Sequence, residues 1–294
     1  MKNVEAIERL YKNRFSHIYH LMPFYKGDKL NVISVYDSSF YFQGYIAQGF
    51  KSFFKKEYEH YFFVADDLVL NPIINESNYK EYLQLKENTC FIPDFISLHA
   101  PNKYWKRAVE GYWWDINVVG VEANGQLPTY GEALQRFKKF GLSIAPTNSK
   151  ILSIPLKSCF KKIISKRDLN SCIDFLKSCL KWIFPEKYYL NYPIIGSYSD
   201  VFVISSNSIK QFCHLCGTFA ATKLFVELAI PTSVVLSAED ISTEANLELR
   251  GRSLWTSDDF EVLDKYNHSL TDLLSSFPTN YLYLHPIKLS KWVN

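Results

Sequence analysis

The chain has 294 residues, of which 47% are hydrophobic and 21% are charged, and this balance excludes a disordered polypeptide. The formal net charge of +3 is too small for the clustered basic face of a nucleic-acid-binding protein, so we expect no nucleic-acid partner. The sequence has no apolar run of about 18 residues and no signal-peptide core, and its six cysteines are interpreted as reduced thiols. These features predict a cytoplasmic protein.

The first predicted elements form a strand–helix–strand unit. After a short helix over 4–15, apolar runs predict a strand over 30–36, an amphipathic helix over 42–56 and a second strand over 61–66. Such a unit favours parallel strands joined by a right-handed crossover. We therefore predict an α/β fold with a Rossmann-like, mostly parallel central sheet flanked by helices, in a single domain.

Acidic residues follow both strands of this unit. Asp37 comes after the first strand, and Asp66 and Asp67 come after the second. Ligands of parallel sheets bind at the carboxyl ends of the strands, and two carboxylates next to a buried strand need a compensating charge. A divalent cation is the simplest candidate, because hard cations take carboxylate oxygens. The alternative is a strand that surfaces into a solvated turn ending at Pro72.

The middle of the chain is rich in aromatic residues. A polar helix is predicted over 78–85, a Gly- and Asn-rich turn over 120–128 and another helix over 130–140. Four large rings are crowded before that turn: Trp105, Tyr112, Trp113 and Trp114. They form either a platform for an acceptor or a small hydrophobic core, and a core is favoured for at least half of them.

The second half begins with a connection over 146–170 and a helix over 171–184. Lys177 and Lys181 flank the apolar face of this helix. One interpretation is peripheral contact with an anionic membrane surface, at the inner face of the membrane. The favoured alternative is a surface helix packed on the sheet.

Further elements are predicted towards the C-terminus: a strand over 198–205, a helix over 207–229 that Pro231 ends, a strand over 233–236, a helix over 258–276 and a strand from 281. The first of these helices carries Cys213 and Cys216. A structural zinc site needs two such pairs, or one pair with two histidines, so we predict ordinary thiols.

Three of these features together resemble the nucleotide-sugar glycosyltransferases of the GT-A fold. The segment from Val64 to Pro72 is similar to the acidic motif with which that family binds a divalent metal at the diphosphate. His285 and Lys288 match a late His and a nearby Lys of several retaining subfamilies. The polar residues after the first strand match the region where the family binds the nucleotide.

The resemblance implies these roles: nucleotide and diphosphate contacts by Tyr36, Asp37, Ser38, Asp66 and Lys288, and ligation of Mn²⁺ or Mg²⁺ by Asp67 and His285. A cation with a Lys beside it stabilises the negative charge that develops on the leaving diphosphate. Taken alone, a histidine such as His285 is more often a strand-end residue bonded to water, and the acidic pair makes the ligand interpretation about equal to it. Ala65 stands where the family has its first Asp, which leaves a metal-independent site open.

The resemblance also implies the reaction. It is a metal-dependent, hexosyltransferase-like transfer from a nucleotide-diphosphate sugar, with a UDP-sugar favoured, to a glycan or lipid-linked acceptor. The setting it implies is bacterial polysaccharide or lipopolysaccharide biosynthesis. Residues from about 28 to 145 would form the nucleotide-sugar half. Residues from about 146 to 294 would form the acceptor half, with the metal- and diphosphate-binding segment at the C-terminus.

The group that acts on the acceptor hydroxyl is open at this stage. The chemistry calls for a carboxylate, and the candidates are Asp200, Glu227 and Glu122. Two other functions also remain open. A nucleotidyltransferase needs a Gly-rich phosphate loop, which the sequence after Asp37 does not resemble. A non-catalytic carbohydrate-binding protein with a degenerate site is favoured by Ala65.

Overall fold

A computed structural model describes residues 2–99, 106–147 and 188–292. The predicted helix over 171–184, with its membrane contact, lies outside these ranges, as do Trp105 and most of the predicted connection over 146–170. None of the helices within the described ranges is both long and apolar enough to cross a membrane.

The described chain is a mixed α/β structure with sheets flanked by helices. The helices are α1 (Lys2–Tyr11), α2 (Gln43–Phe53), α3 (Tyr79–Tyr82), α4 (Lys106–Trp113), α5 (Tyr130–Lys139), α6 (Ile209–Ala221), α7 (Val226–Ser237), α8 (Ser257–Asp264) and α9 (Leu270–Ser275). The strands are β1 (His20–Pro23), β2 (Val32–Val35), β3 (His60–Val64), β4 (Val69–Leu70), β5 (Thr89–Phe91), β6 (Val201–Ser205), β7 (Asp240–Ser242), β8 (Arg250–Ser253) and β9 (Tyr281–His285).

The central sheet is mixed, not mostly parallel as predicted. Its strand order is β3-β6-β5-β7, and β6 runs antiparallel to both of its neighbours, while β5 and β7 are parallel. Every residue of β6 is buried. A strand buried on both faces has a continuous apolar run whichever way its neighbours point, so the sequence pattern carries no information on direction.

The predicted strand–helix–strand unit is also wrong in its pairing. β2 pairs in parallel with β1, which the sequence pattern did not reveal, and β3 pairs with β6 in a different sheet. Between them α2 packs on β1, β2 and α6. A smaller sheet has the order β4-β9-β8, with β4 antiparallel and β8 parallel to β9.

The predicted strand over 233–236 is wrong, because these residues belong to α7. This helix is buried around almost its whole circumference, and a helix without a polar face has the same apolar run as a strand. Pro231 lies inside α7 and does not end a helix. Its missing N–H would have bonded the Glu227 carbonyl four residues earlier, and the Ser197 N–H donates to that carbonyl instead, at 3.0 Å.

Other predicted boundaries are also corrected. The helix over 207–229 is divided into α6 and α7, and the helix over 258–276 is divided into α8 and α9. Asn267 and His268 have φ values of 47° and 58° in the second break, a conformation that no helix contains. The polar helix over 78–85 is confirmed only in the single turn of α3, and β5 follows it. The helix over 130–140 is confirmed as α5, which begins at a capping box of Thr129 and Glu132.

Helix α1 holds the segment that contains β4. The Arg14 guanidinium, just beyond α1, donates to the carbonyl oxygens of Asn71 at 2.6 Å, Ile74 at 2.9 Å and Leu70 at 3.3 Å. The Tyr11 hydroxyl donates to Leu68 O at 3.0 Å. These bonds satisfy backbone groups of the segment that begins directly after Asp67.

Replacing Arg14 with Met removes the hydrogen bonds and keeps most of the apolar stem. We expect the free energy of unfolding to fall by about 3 kcal/mol, because carbonyl groups lose a charged donor in a half-buried position. Arg9→Met, on the exposed side of the same helix, is the matched control, with an expected change below about 0.5 kcal/mol. Urea unfolding followed by circular dichroism measures both, and equal effects would contradict the role of Arg14.

Candidate active site

Asp67, Asp200 and His285 meet at one edge of the two larger sheets. The His285 Nε2 atom lies 3.2 Å from Asp67 Oδ1, and its Nδ1 atom lies 3.3 Å from Asp200 Oδ2. The three residues come from distant parts of the sequence. Their contact therefore depends on the tertiary fold and not on a local turn.

The strand pairing explains why they meet. Asp67 lies in the turn between β3 and β4. β6 is antiparallel to β3, so Asp200 at the start of β6 lies at the same edge. β9 is antiparallel to β4, and this places His285, at the end of β9, at that edge too.

Backbone hydrogen bonds fix the positions of the same residues. The Ala65 N–H donates to Asp200 O at 2.8 Å, and the Ile287 N–H donates to Asp67 O at 2.6 Å. The carbonyl of His285 accepts from the Leu254 N–H at 2.7 Å. Backbone hydrogen bonds therefore fix the main chain that carries the three side chains. Side chains carried by such rigid elements keep a site in one geometry.

The side chain of His285 is only 8% exposed and lies between two carboxylates. Burial alone lowers the pKa of an imidazole. Here the hydrogen bond to Asp67 and the charges of Asp200 and Asp67 outweigh burial, and the pKa of His285 is raised. Burial raises the pKa of the Asp200 carboxyl, against the opposing charge of His285, and the charge of Asp67 adds to the rise.

Asp66 is the neighbour of Asp67 in the sequence, and Lys288 follows His285, but both side chains are exposed and have different surroundings from the cluster. Asp66 is exposed, and its Oδ2 atom accepts a hydrogen bond from Asn3 Nδ2 at 2.9 Å, towards α1. Lys288 is exposed and precedes the short 3-10 helix Leu289–Lys291. It follows His285 by three residues, and the Ile287–Asp67 backbone bond fixes the start of its segment.

The predicted nucleotide contacts after β2 lie next to α2 and Lys223. Tyr36 is 64% exposed, and its N–H donates to Gln48 Oε1 at 2.9 Å. Asp37 Oδ1 lies 3.9 Å from Lys223 Nζ, and Ser38 Oγ accepts from the Phe40 N–H at 3.3 Å. Apart from the contact of Asp37 with Lys223, the contacts given above for these residues are local, and none of them is to His285.

The other two acid candidates also lie outside the cluster. Glu227 is in the first turn of α7, partly buried, and its charge acts on the Tyr198 hydroxyl. Glu122 lines a different cavity of about 530 Å³ between α2, α6 and the 121–126 segment. Of the three acid candidates, only Asp200 contacts His285 in the described chain.

Aromatic rings border the cluster, and they are not the ones that the sequence singled out. Trp255 lies edge-on to His285, with ring centroids 5.8 Å apart, and Tyr198 lies 6.3 Å from Trp255. Trp114 and Tyr112 are instead buried in a core with α5 and α7, which confirms the core interpretation for them. In the sequence Trp255 is a single aromatic residue in a mostly polar segment. It is therefore recognised as a candidate site residue only from its exposed position in the structure.

A cavity of about 390 Å³ opens beside these rings. Asp94, Tyr198, Glu244 and Tyr283 supply polar atoms to its wall, and Gly251 supplies backbone. Burial raises the pKa of the Glu244 carboxyl, and the Gly251 N–H that donates to it at 3.0 Å acts in the opposite direction. Asp94 is exposed to solvent on one side. Burial of its other side raises the pKa of its carboxyl, against the hydrogen bond from Ser197.

The donor set of the cluster suits a hard divalent cation with two protein ligands. Within the described residues, no group of three or more His, Cys, Asp or Glu side chains is arranged to hold a metal ion. The geometry of His285 gives the reason, because Nδ1 and Nε2 point away from each other and one ion cannot reach both carboxylates. Asp67 and Nε2, 3.2 Å apart, fit adjacent positions of an octahedral ion, whose neighbouring ligands are about 3 Å apart.

Comparison of the chain with protein-family models, with curated proteins and with solved structures finds no match. The site is therefore interpreted from its own geometry.

Proposed function

We propose that this protein is a metal-dependent glycosyltransferase of the GT-A type, which transfers a sugar from a nucleotide-diphosphate donor. The observation that carries the proposal is the 3.2 Å contact between Asp67 and His285, which are 218 positions apart (285 − 67) in the printed sequence. They are the two residues that the resemblance assigns to the metal. Lys288, exposed after His285, is the proposed diphosphate contact.

Asp67 and the Nε2 atom of His285 would hold Mn²⁺ or Mg²⁺, and the ion would neutralise charge on the diphosphate leaving group. Asp200 orients the ring: its carboxylate accepts the Nδ1–H, which leaves the Nε2 lone pair available. We therefore assign Asp200 to positioning, and Glu227 remains the candidate that receives the acceptor proton. Two protein ligands leave room for phosphate oxygens, which is how Mg²⁺ sites on nucleotides are commonly completed.

The proposed acceptor is a glycan or a lipid-linked glycan, in polysaccharide or lipopolysaccharide synthesis. The proposed nucleotide contacts are Tyr36, Asp37 and Ser38, with a UDP-sugar favoured. Asp66 faces Asn3, so its proposed part is secondary.

Thermal unfolding with UDP, GDP and CMP, each with and without Mn²⁺, tests the proposal. Because the two-ligand site is completed by phosphate oxygens, metal and nucleotide should stabilise the fold together more than the sum of their separate effects. At a ligand concentration of about 100 Kd the stabilisation is about 2.7 kcal/mol, which raises the Tm of a chain of this size by roughly 5 °C. Additive or absent effects for all three nucleotides would overturn it.

A second function is a non-catalytic carbohydrate-binding protein with a degenerate site, and Ala65 at the first position of the acidic motif favours it. A screen of UDP-, GDP- and CMP-sugars for donor hydrolysis separates the two. A transferase releases the free nucleotide from one donor in the presence of Mn²⁺, and a non-catalytic protein releases none. A nucleotidyltransferase would instead release pyrophosphate from a nucleoside triphosphate and a sugar phosphate.

A further inference from the structure

We propose that the cavity lined by Tyr198, Ser253 and Tyr283, together with the Trp255 ring that contacts Tyr198, is the binding site for a neutral pyranose ring of the acceptor. This inference rests on the proposed function, because it names the substrate class that the same site would take. It assigns a role to Trp255, Asp94 and Glu244, which the sequence pattern did not select.

The two rings provide an exposed apolar surface beside the cavity. Trp255, which contacts the buried His285, is 59% exposed, and Tyr198, which contacts Trp255 and lines the cavity, is 41% exposed. The Trp255 N–H donates to Asp259 Oδ2 at 3.1 Å, which fixes the backbone that carries the ring. The apolar face of a pyranose packs on such a surface, and large aromatic rings supply much of the contact area in small-molecule sites.

The cavity wall supplies acceptors for sugar hydroxyl groups. Asp94 and Glu244 are ionisable acceptors held by fixed donors, and the Tyr283 hydroxyl is a donor to Glu244 in addition to the backbone. Ser197 Oγ donates to Asp94 Oδ1 at 3.1 Å, and the Gly251 N–H donates to Glu244 Oε2 at 3.0 Å. A carboxylate has about four lone-pair positions, so each retains capacity for hydroxyl donors.

Gly251 determines the shape of this wall. A Cβ atom at this position would overlap the ring of Tyr283, so the missing side chain lets the phenol lie across the strand and form part of the wall. Tyr283 and His285 are two residues apart on β9, and their side chains therefore share one face. Ser253 is the register partner of His285 and also lines the cavity. The cavity and the proposed metal site are thus adjacent along β8 and β9.

The charge of the cavity selects among ligands. Its titratable lining consists of the carboxyl groups of Asp94 and Glu244 with two tyrosines, and the Asp200 charge also acts on Tyr283. A phosphate group would be repelled here, so the cavity does not suit the diphosphate or the nucleotide of the donor. A neutral polyhydroxylated ring packs its apolar face on the aromatic rings and donates its hydroxyl groups to the carboxyl oxygens.

Saturation-transfer difference NMR tests the inference with the methyl glycosides of glucose, galactose, mannose and N-acetylglucosamine, in the absence of nucleotide and metal. We expect at least one glycoside to receive saturation, and Trp255→Ala to lower that signal at least fivefold. Trp113→Ala is the matched control and should retain the signal, since Trp113 is an exposed Trp on α4, whereas Trp255 contacts Tyr198 in the cavity wall. Circular dichroism confirms that both variants are folded.

A second variant, Asp94→Asn, keeps the size of the side chain and should weaken binding of the same glycoside at least threefold. No saturation of any glycoside, or equal signals in wild type and Trp255→Ala, would overturn the inference. Because nucleotide and metal are absent, these outcomes are independent of the thermal test of donor binding. Glycoside binding without nucleotide binding would contradict the proposed transferase alone.

Discussion

Asp67→Asn should reduce metal-dependent sugar transfer by about 10²–10³-fold, with little change in stability. The amide keeps the size of the carboxylate and can still bond His285. It removes the negative charge that the proposed cation needs, and with it the stabilisation of the leaving diphosphate. Initial rates across a Mn²⁺ series, with the donor identified by hydrolysis screening, measure the loss.

Asp66→Asn is the comparison that isolates this effect. The two carboxylates are adjacent in sequence, but Asp66 is exposed and accepts from Asn3, whereas Asp67 contacts His285. We expect the Asp66 variant to retain turnover within about threefold. If both variants lose activity equally, the assignment of the metal to Asp67 is wrong. If neither does, the site does not use the metal in this way.

Asp200→Asn should weaken Mn²⁺ binding by about 10–100-fold, although Asp200 is not a proposed ligand. In the proposed site the Asp200 carboxylate, 3.3 Å from Nδ1 of His285, would accept the Nδ1–H and so present Nε2 to the ion. An amide at this position removes the charge and no longer selects that tautomer. Electron paramagnetic resonance of free Mn²⁺, with UDP present, measures the affinity, and an unchanged value would remove the orienting role.

We also expect Asp200→Asn to change the pH dependence of Mn²⁺ binding. Metal binding needs the neutral imidazole, and the raised pKa of His285 means that the proton competes up to a higher pH than for an isolated histidine. Wild-type Mn²⁺ affinity should therefore increase as pH rises through that pKa. Because the Asp200 charge helps to raise it, the rise should move to lower pH in Asp200→Asn. A profile that does not move would show that Asp200 has no influence on His285.

Local sequence patterns predicted most of the elements that carry the site but not how they pair. The apolar run before Asp66 and the strand ending at His285 are both observed as strands. The metal between Asp67 and His285 stays a prediction, but the two side chains are in contact. The predicted strand over 198–205 already placed Asp200 near its amino end, and the structure agrees. The sequence could not show that this strand is antiparallel to β3, which brings Asp200 to the edge where Asp67 lies, because tertiary pairing sets strand direction.

The remaining site residues have no local sequence signal. Trp255, Asp94 and Glu244 come from loops or short turns, and they form one cavity only because β8 lies beside β9 and the 93–95 segment lies beside the 243–245 segment. Pro231 has a local sequence signal, but the signal is misleading, because this proline lies inside α7. Proline normally ends a helix, but a hydrogen bond from Ser197, 34 positions earlier (231 − 197), compensates for the bond that it removes.

The separation of Asp67, Asp200 and His285 along the chain has a consequence for synthesis. A chain emerging from the ribosome presents the first two residues long before the third, and domains fold as their segments become available. Since β9 supplies both His285 and the neighbour of β4, an incomplete polypeptide lacks the histidine and leaves β4 without its partner. The enzyme proposed here would therefore gain activity only after β9 has been synthesised, and fragments that stop before β9 would be inert.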